Sequence, residues 1–245
     1  MSAQPTLSAI AALTLFLTLP ALAEQGPAAC EDLLQKADRL RSTDRALEAK
    51  SLYERLLDTC ADAELPDSLW AEVATRRGEF TWFYGNDRRG ASEIFEAHLE
   101  TLTARTGADD AARLPLLEAL AEVSSALALD SDNDRAASDL QRAFDLYAEA
   151  LRVRELAYGE RSLEAADGLD RVAAVHLLEN PAKSADLFRR SFEIRKEKLG
   201  LYHQEVLKSL PTLREALRMQ GKEAEAADVL TLYEDIADTL DRQKG

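Results

Sequence analysis

DLYAEALRVRELAYG, Asp145–Gly159, and DLFRRSFEIRKEKLG, Asp186–Gly200, are two copies of one pattern. Aligned on Leu146 and Leu187, both keep a Leu, an aromatic residue, a small one, two apolar ones, an Arg and a closing Gly. The same columns run outward through the chain. A small residue stands at Ala49, Ala91, Ala143, Ser184 and Ala226, in steps of 42, 52, 41 and 42 residues. Three residues later comes an aliphatic (Leu52, Ile94, Leu146, Leu187, Val229), and next to it a large apolar residue (Tyr53, Phe95, Tyr147, Phe188, Leu230). A second column precedes each of these: Leu33, Thr75, Leu117, Leu169 and Leu210. Each unit therefore holds two helices, and self-similarity at this period marks a stacked array.

Turn residues punctuate the columns where a helix pair needs them. Ser42-Thr43-Asp44, Gly85-Asn86-Asp87, the DSDND run from Asp130, Asn180-Pro181 and Gly221 separate the helices within a unit. Pro66-Asp67, Gly107 with Asp109, Gly159 and Gly200 separate the units, with Gly expected as a left-handed stop after a helix. The spacing predicts an all-α array of five antiparallel pairs near 30–58, 67–105, 110–157, 162–198 and 203–242. The extra ten residues of the third unit are expected to lengthen both its helices. Only 10 Gly and 7 Pro in 245 residues suit helices on short connections better than a many-stranded fold.

Met1–Ala23 reads differently. It carries no charge, and its apolar run Ile10–Leu19 ends at Pro20 before the small-residue segment Ala21-Leu22-Ala23. That is the layout of a secretory signal cleaved near Ala23, with an uncleaved anchor as the alternative. The expected location is periplasmic or secreted, and no later stretch approaches the ~20 apolar residues of a membrane span. The formal charge of −15 argues against nucleic acid and anionic lipid as partners. It serves solubility, or attracts a basic partner. Cys30 and Cys60 are the only cysteines, and in an oxidising compartment an even count points to a disulfide. They stand at the start of the first helix and the end of the second, ends that an antiparallel hairpin brings together. Pro27-Ala28-Ala29-Cys30 also resembles a lipobox, although Pro27 stands where that motif wants an aliphatic residue.

The pattern resembles the tetratricopeptide repeat in its longer form of about 42 residues, found in kinesin light chains and many bacterial proteins. The likeness is closest through EALRVRELAYGERSLEAADGL from Glu149 and SFEIRKEKLGLYHQEVLKSL from Ser191. His203 occupies the family's His column, while Gln204 replaces the usual Pro and Ser162 the earlier His. The resemblance implies a right-handed superhelix, a TPR-like α-solenoid, whose inner face binds other proteins. Taken in the column register, Phe80, Phe83 and Tyr84 face that groove while Trp82 packs inside; a slip of one or two residues exchanges the roles, and the alternative is that all four pack between hairpins. The same register puts Glu118, Glu122, Asp167 and Asp170 on the inner faces of the third and fourth pairs, where a solvated acidic face is the ordinary explanation. An aromatic floor at one end and carboxylates at the other would suit an extended basic peptide.

Little points to catalysis. His98, His176 and His203 share no metal-ligand spacing with one another or with the cysteines, and no phosphate loop, dinucleotide fingerprint or nucleophile elbow occurs. Asp130-Ser131-Asp132-Asn133-Asp134 opens like a calcium loop, but Arg135 and Gln141 stand where Gly and an acid are needed. The expectation is an exported noncatalytic protein-interaction scaffold with no cofactor, no metal and no nucleic acid. The alternatives are a structural or assembly subunit of a cell-envelope complex and, third, an enzyme.

Overall fold

The computed structural model describes residues 27–130 and 133–243, except 42, 44 and 61–64 and the side chains at 46, 47, 57–60, 133 and 134. The proposed signal segment lies outside these residues. Ten α-helices and no strand occur among those described. They are α1 (Pro27–Arg41), α2 (Ala46–Cys60), α3 (Asp67–Phe83), α4 (Arg88–Thr106), α5 (Leu114–Asp130), α6 (Asn133–Tyr158), α7 (Leu163–His176), α8 (Pro181–Leu199), α9 (Leu210–Met219) and α10 (Glu223–Arg242). Each odd-numbered helix packs on the even one after it, and each pair packs on the next.

The helix starts follow from local chemistry. The Asp87 and Asn180 side chains accept from the backbone N–H of Gly90 and Lys183, each satisfying an N–H that its helix leaves orphaned. Pro181 follows Asn180, where its missing N–H costs nothing. Ser162 caps α7 in the same way through Ala165 N–H. Pro211 explains a departure from expectation in the last pair. Lacking an N–H, it cannot make the α-type bond to the carbonyl four residues back. Gln204–Ser209 is accordingly a 3₁₀ segment, and the α-helix begins only at Leu210. The glycine stops also differ in detail. Gly107 (φ 91°, ψ 169°) and Gly200 (φ 83°, ψ 157°) lie in the extended region of positive φ that essentially only glycine enters, not in the left-handed helical well. The third unit's extra residues lengthen both its helices where they face the turn: α5 runs 13 residues past Leu117, against 8 past Thr75 in α3, and α6 starts 10 residues before Ala143, against 3 before Ala91 in α4.

The core is built from the columns. Ala49, Ala91, Ala143, Ser184 and Ala226 are all buried, as are Tyr53, Phe95, Tyr147 and Phe188. The small residue permits close helix approach, and the aromatic one turn later fills the space beside it. Burying each large apolar side chain contributes about 1.5–3 kcal/mol. The tightest contact lies in the second pair. A Cβ on Gly78 of α3 would stand 2.1 Å from the Phe95 ring, which is fully enclosed.

Gly78→Ala is therefore expected to destabilise. Alanine in an unobstructed helix interior gains about 1 kcal/mol over glycine, but here the methyl must displace a buried ring, an overpacking cost of about 1–3 kcal/mol. Thermal melting decides the sign, and a raised midpoint would show that the ring has room to move.

Candidate interaction groove

The first helices α3, α5 and α7 together line a cleft of about 390 Å³. α3 presents Glu72, Thr75, Arg76 and Glu79; α5 presents Glu118, Ala119 and Glu122; α7 presents Arg171. These positions recur at three- and four-residue spacing, so each helix contributes one stripe. Two of the carboxylates expected to face inward, Glu118 and Glu122, thus line a concavity.

They are not an open acidic face. Glu118 pairs with Arg154 of α6 at 2.5 Å, both side chains largely enclosed, and with Arg171 at 3.6 Å. Glu122 pairs with Arg171 at 2.8 Å. On the α3 side, Arg76 lies 2.9 Å from Glu79 and 3.7 Å from Asp38 of α1, and Arg41 reaches Glu79 at 3.4 Å. Burial pushes the Glu118 carboxyl above its usual range, and the two arginines only partly oppose this. The cleft therefore presents both signs of charge at close quarters.

Asp167 and Asp170 serve a different structure. Arg195 of α8 is 1% exposed. Its guanidinium lies 2.5 Å from Asp167 and 2.7 Å from Asp170, with Ser209 Oγ accepting at 2.7 Å and Ser191 Oγ also accepting. Ser209 Oγ in turn donates to Asp170 at 3.1 Å. Burial raises the Asp170 carboxyl, against the hydrogen bonds from Ser191, Arg195 and Ser209. The cluster ties α7, α8 and the segment before α9 together, and a buried guanidinium needs that full set of acceptors.

The aromatic run is divided by the helical turn rather than shared by the groove. Phe80 is 5% exposed and packs at 5.7 Å from Tyr53, so its expected place in the groove is corrected: it belongs to the core beneath α2. Tyr84 stacks on Phe80 at 4.5 Å and donates to the Arg41 carbonyl, fastening α3 to the end of α1. Trp82 is half-buried against the core and carries Phe83, which is 63% exposed, at 4.6 Å. None of Phe80, Phe83 and Tyr84 lines the cleft.

The histidines are occupied by their neighbours. His98 stacks on Trp70 and places Nδ1 2.8 Å from the Ile94 carbonyl; His176 stacks on Phe144 at 4.3 Å; His203 accepts from Glu205 N–H. Burial lowers the first two. No three His, Cys, Asp or Glu are grouped to hold a metal among the described residues. Asp130 pairs with Arg88, while Ser131 and Asp132 of the calcium-like run lie outside them. The bridge expected between Cys30 and Cys60 ends on a side chain likewise outside them, although Cys30 itself is fully buried.

The residues missed in sequence are the countercharges. A signal was present: Arg154 and Arg195 share one column, and their partners Glu118 and Asp170 share another, both columns visible in the repeat alignment.

Asp170→Ala leaves Arg195 buried and short of an acceptor, so stability should fall by about 3 kcal/mol. Asp167→Ala, at the more exposed partner, should cost under about 1 kcal/mol. Urea melts of the two variants separate them. Equal losses would mean that Arg195 does not discriminate between the two carboxylates.

Neither the family models nor the curated proteins contain a match to this chain. Solved structures do match. Kinesin light chain TPR-like repeats from Podosopora anserina superpose at TM-score 0.68, with 17% identity, covering 87% of this chain and 97% of that one. A variant form of those repeats gives TM-score 0.70 at 16% identity, covering 88% and 98%. BtubC (BKLC) from P. vanneervenii gives 0.67 at 16% identity, covering 90% and 92%. Identity at this level speaks for architecture alone, and on that architecture the chain is an all-α solenoid of the TPR-like type.

Proposed function

We propose that this protein is a noncatalytic interaction module that holds an extended segment of another protein along the face built by α3, α5 and α7. The observation that carries this reading is the cleft itself: a concavity lined by three consecutive first helices, with charged side chains of both signs in fixed positions. Fixed donors and acceptors favour a polar segment, because buried polar groups must find partners and reject a segment that offers none. Basic side chains of the segment would meet Glu72 and Glu122, whose side chains are 50% and 46% exposed. Asp167 and Asp170 have no part in this, being committed to Arg195. Among the described residues no helix is long and apolar enough to cross a membrane.

The same reading places the protein outside the cytoplasm, on the charge-free leader and the two cysteines. The repeat register supports a Cys30–Cys60 bridge. Cys60 follows Tyr53 by the same seven residues that separate Arg195 from Phe188. Arg195 meets α7 at Asp167 and Asp170, and those positions match Glu31 and Leu34 of α1, beside the buried Cys30.

For the groove, fluorescence anisotropy with a panel of labelled lysine- and arginine-containing 12-mers should find binders that Glu72→Lys with Glu122→Lys weakens about tenfold or more, at unchanged melting temperature. Binding indifferent to both changes, or no binding across the panel, would remove the groove from the proposal. For the bridge, peptide mapping of the nonreduced protein should yield one peptide pair linked through Cys30 and Cys60. Reduction should cost about 3–4 kcal/mol for a loop of roughly thirty residues. Two free thiols would end that proposal.

A further inference from the structure

The last helix pair ends in a surface that the other pairs bury. In the large-apolar column Phe95, Tyr147 and Phe188 are each enclosed, Phe188 within a core that continues into α9 and α10. Leu230 holds the same column in α10 and is only half-buried. Around it Leu210, Pro211, Val229 and Tyr233 form an apolar cleft of about 200 Å³ between α9 and α10. Its counterpart one unit earlier is the surface around Phe188, where the fifth pair packs on α8.

Two charges make this surface specific. Arg214 of α9 lines the cleft, is half-buried, and makes no hydrogen bond or ion pair with any described residue. Most arginines of the concave face are by contrast held by carboxylates. On α10, Ala227, Leu230, Glu234 and Ala237 recur at three- and four-residue spacing, so they share one stripe. Glu234 on that stripe is exposed and likewise has no partner among the described residues. An α10 stripe offers what the α9–α10 cleft lacks, small residues that permit close approach and a carboxylate, and Leu230 belongs to both. The cleft offers what the stripe lacks, a cation in an apolar setting.

We propose that two copies of this chain join through their last helix pairs in a closed two-fold dimer. The α10 stripe of each copy lies in the α9–α10 cleft of the other, with Arg214 of each against Glu234 of its mate. A self-complementary patch of this kind closes at two, because each copy supplies both halves of the contact. The contact extends the stacking by which the pairs within one chain cover each other, and it leaves the α3–α5–α7 cleft free, so it does not depend on the function proposed above.

Sedimentation equilibrium of the full chain from about 1 to 100 µM tests this. The expected result is a mass of twice the protomer at the upper end. Leu230→Glu should give a monomer. Arg214→Glu and Glu234→Arg should each raise the dissociation constant about tenfold or more, and combining them should restore it to within about threefold of the original. Far-ultraviolet circular dichroism spectra of the three single variants should match the parent, showing that each still folds. A monomeric parent, a dimer that survives Leu230→Glu, mass that keeps growing beyond two copies, or a double charge variant no better than the singles would each overturn the proposal.

Discussion

A two-helix hairpin has more apolar surface than its own interface can cover, and the rest of this structure depends on how neighbouring pairs share the excess. The solution is the same in each unit: a small residue in the second helix lets another helix come close, and a large apolar residue one turn later fills the gap. Ala91 with Phe95 and Ser184 with Phe188 are instances, all four buried. Where the space is tightest the facing helix gives up its own side chain, as α3 does at Gly78 beneath Phe95. Since each pair leans mainly on its neighbours, the array has ends, and the ends are where its surface is unlike the rest.

Packing also brings charged positions into contact on the face formed by the first helices, within a pair and between pairs. Arg154 and Arg195 reach from the second helices to carboxylates on α5 and α7, and Arg171 carries the linkage from α7 back to α5. Enclosed ion pairs of this kind return little net stability, because the charges lose water before they gain each other. Their consequence is registry: a unit shifted by one residue would bury a guanidinium without its acceptors. Arg195, with two carboxylates and two hydroxyls around it, shows how complete the set must be. The cleft between α3, α5 and α7 inherits this arrangement, and its polarity is that of fixed, largely paired charges rather than of an acidic trough.

The apolar side chains left at the surface lie away from that cleft. Phe83 and Leu178 stand at the far ends of α3 and of the α7 turn, and Leu129 near the end of α5. Shortage of polar surface makes some such exposure ordinary. The cleft at α9–α10 is different because the matching surface one unit earlier is covered, and because a cation with no partner among the described residues sits within it.

Composition and column spacing were enough to determine the all-α array of consecutive helix pairs, since the apolar period and the Gly, Asn and Pro punctuation are properties of local sequence. The columns of buried small and aromatic residues were legible for the same reason: a repeated environment imprints a repeated residue. Only the tertiary structure decided what Phe80, Phe83 and Tyr84 do. Consecutive helix positions turn by about 100°, so an aromatic run is parcelled among a core, a helix end and solvent according to neighbours that local pattern does not name. It also decided the state of Glu118, Glu122, Asp167 and Asp170. Whether a carboxylate is open or committed depends on an arginine 28 to 49 residues away in the chain, as between Asp167 and Arg195 or Glu122 and Arg171. Sequence lists both partners, but it is helix packing, within one pair for Asp167 and Arg195 and between pairs for Glu122 and Arg171, that sets the distance between them.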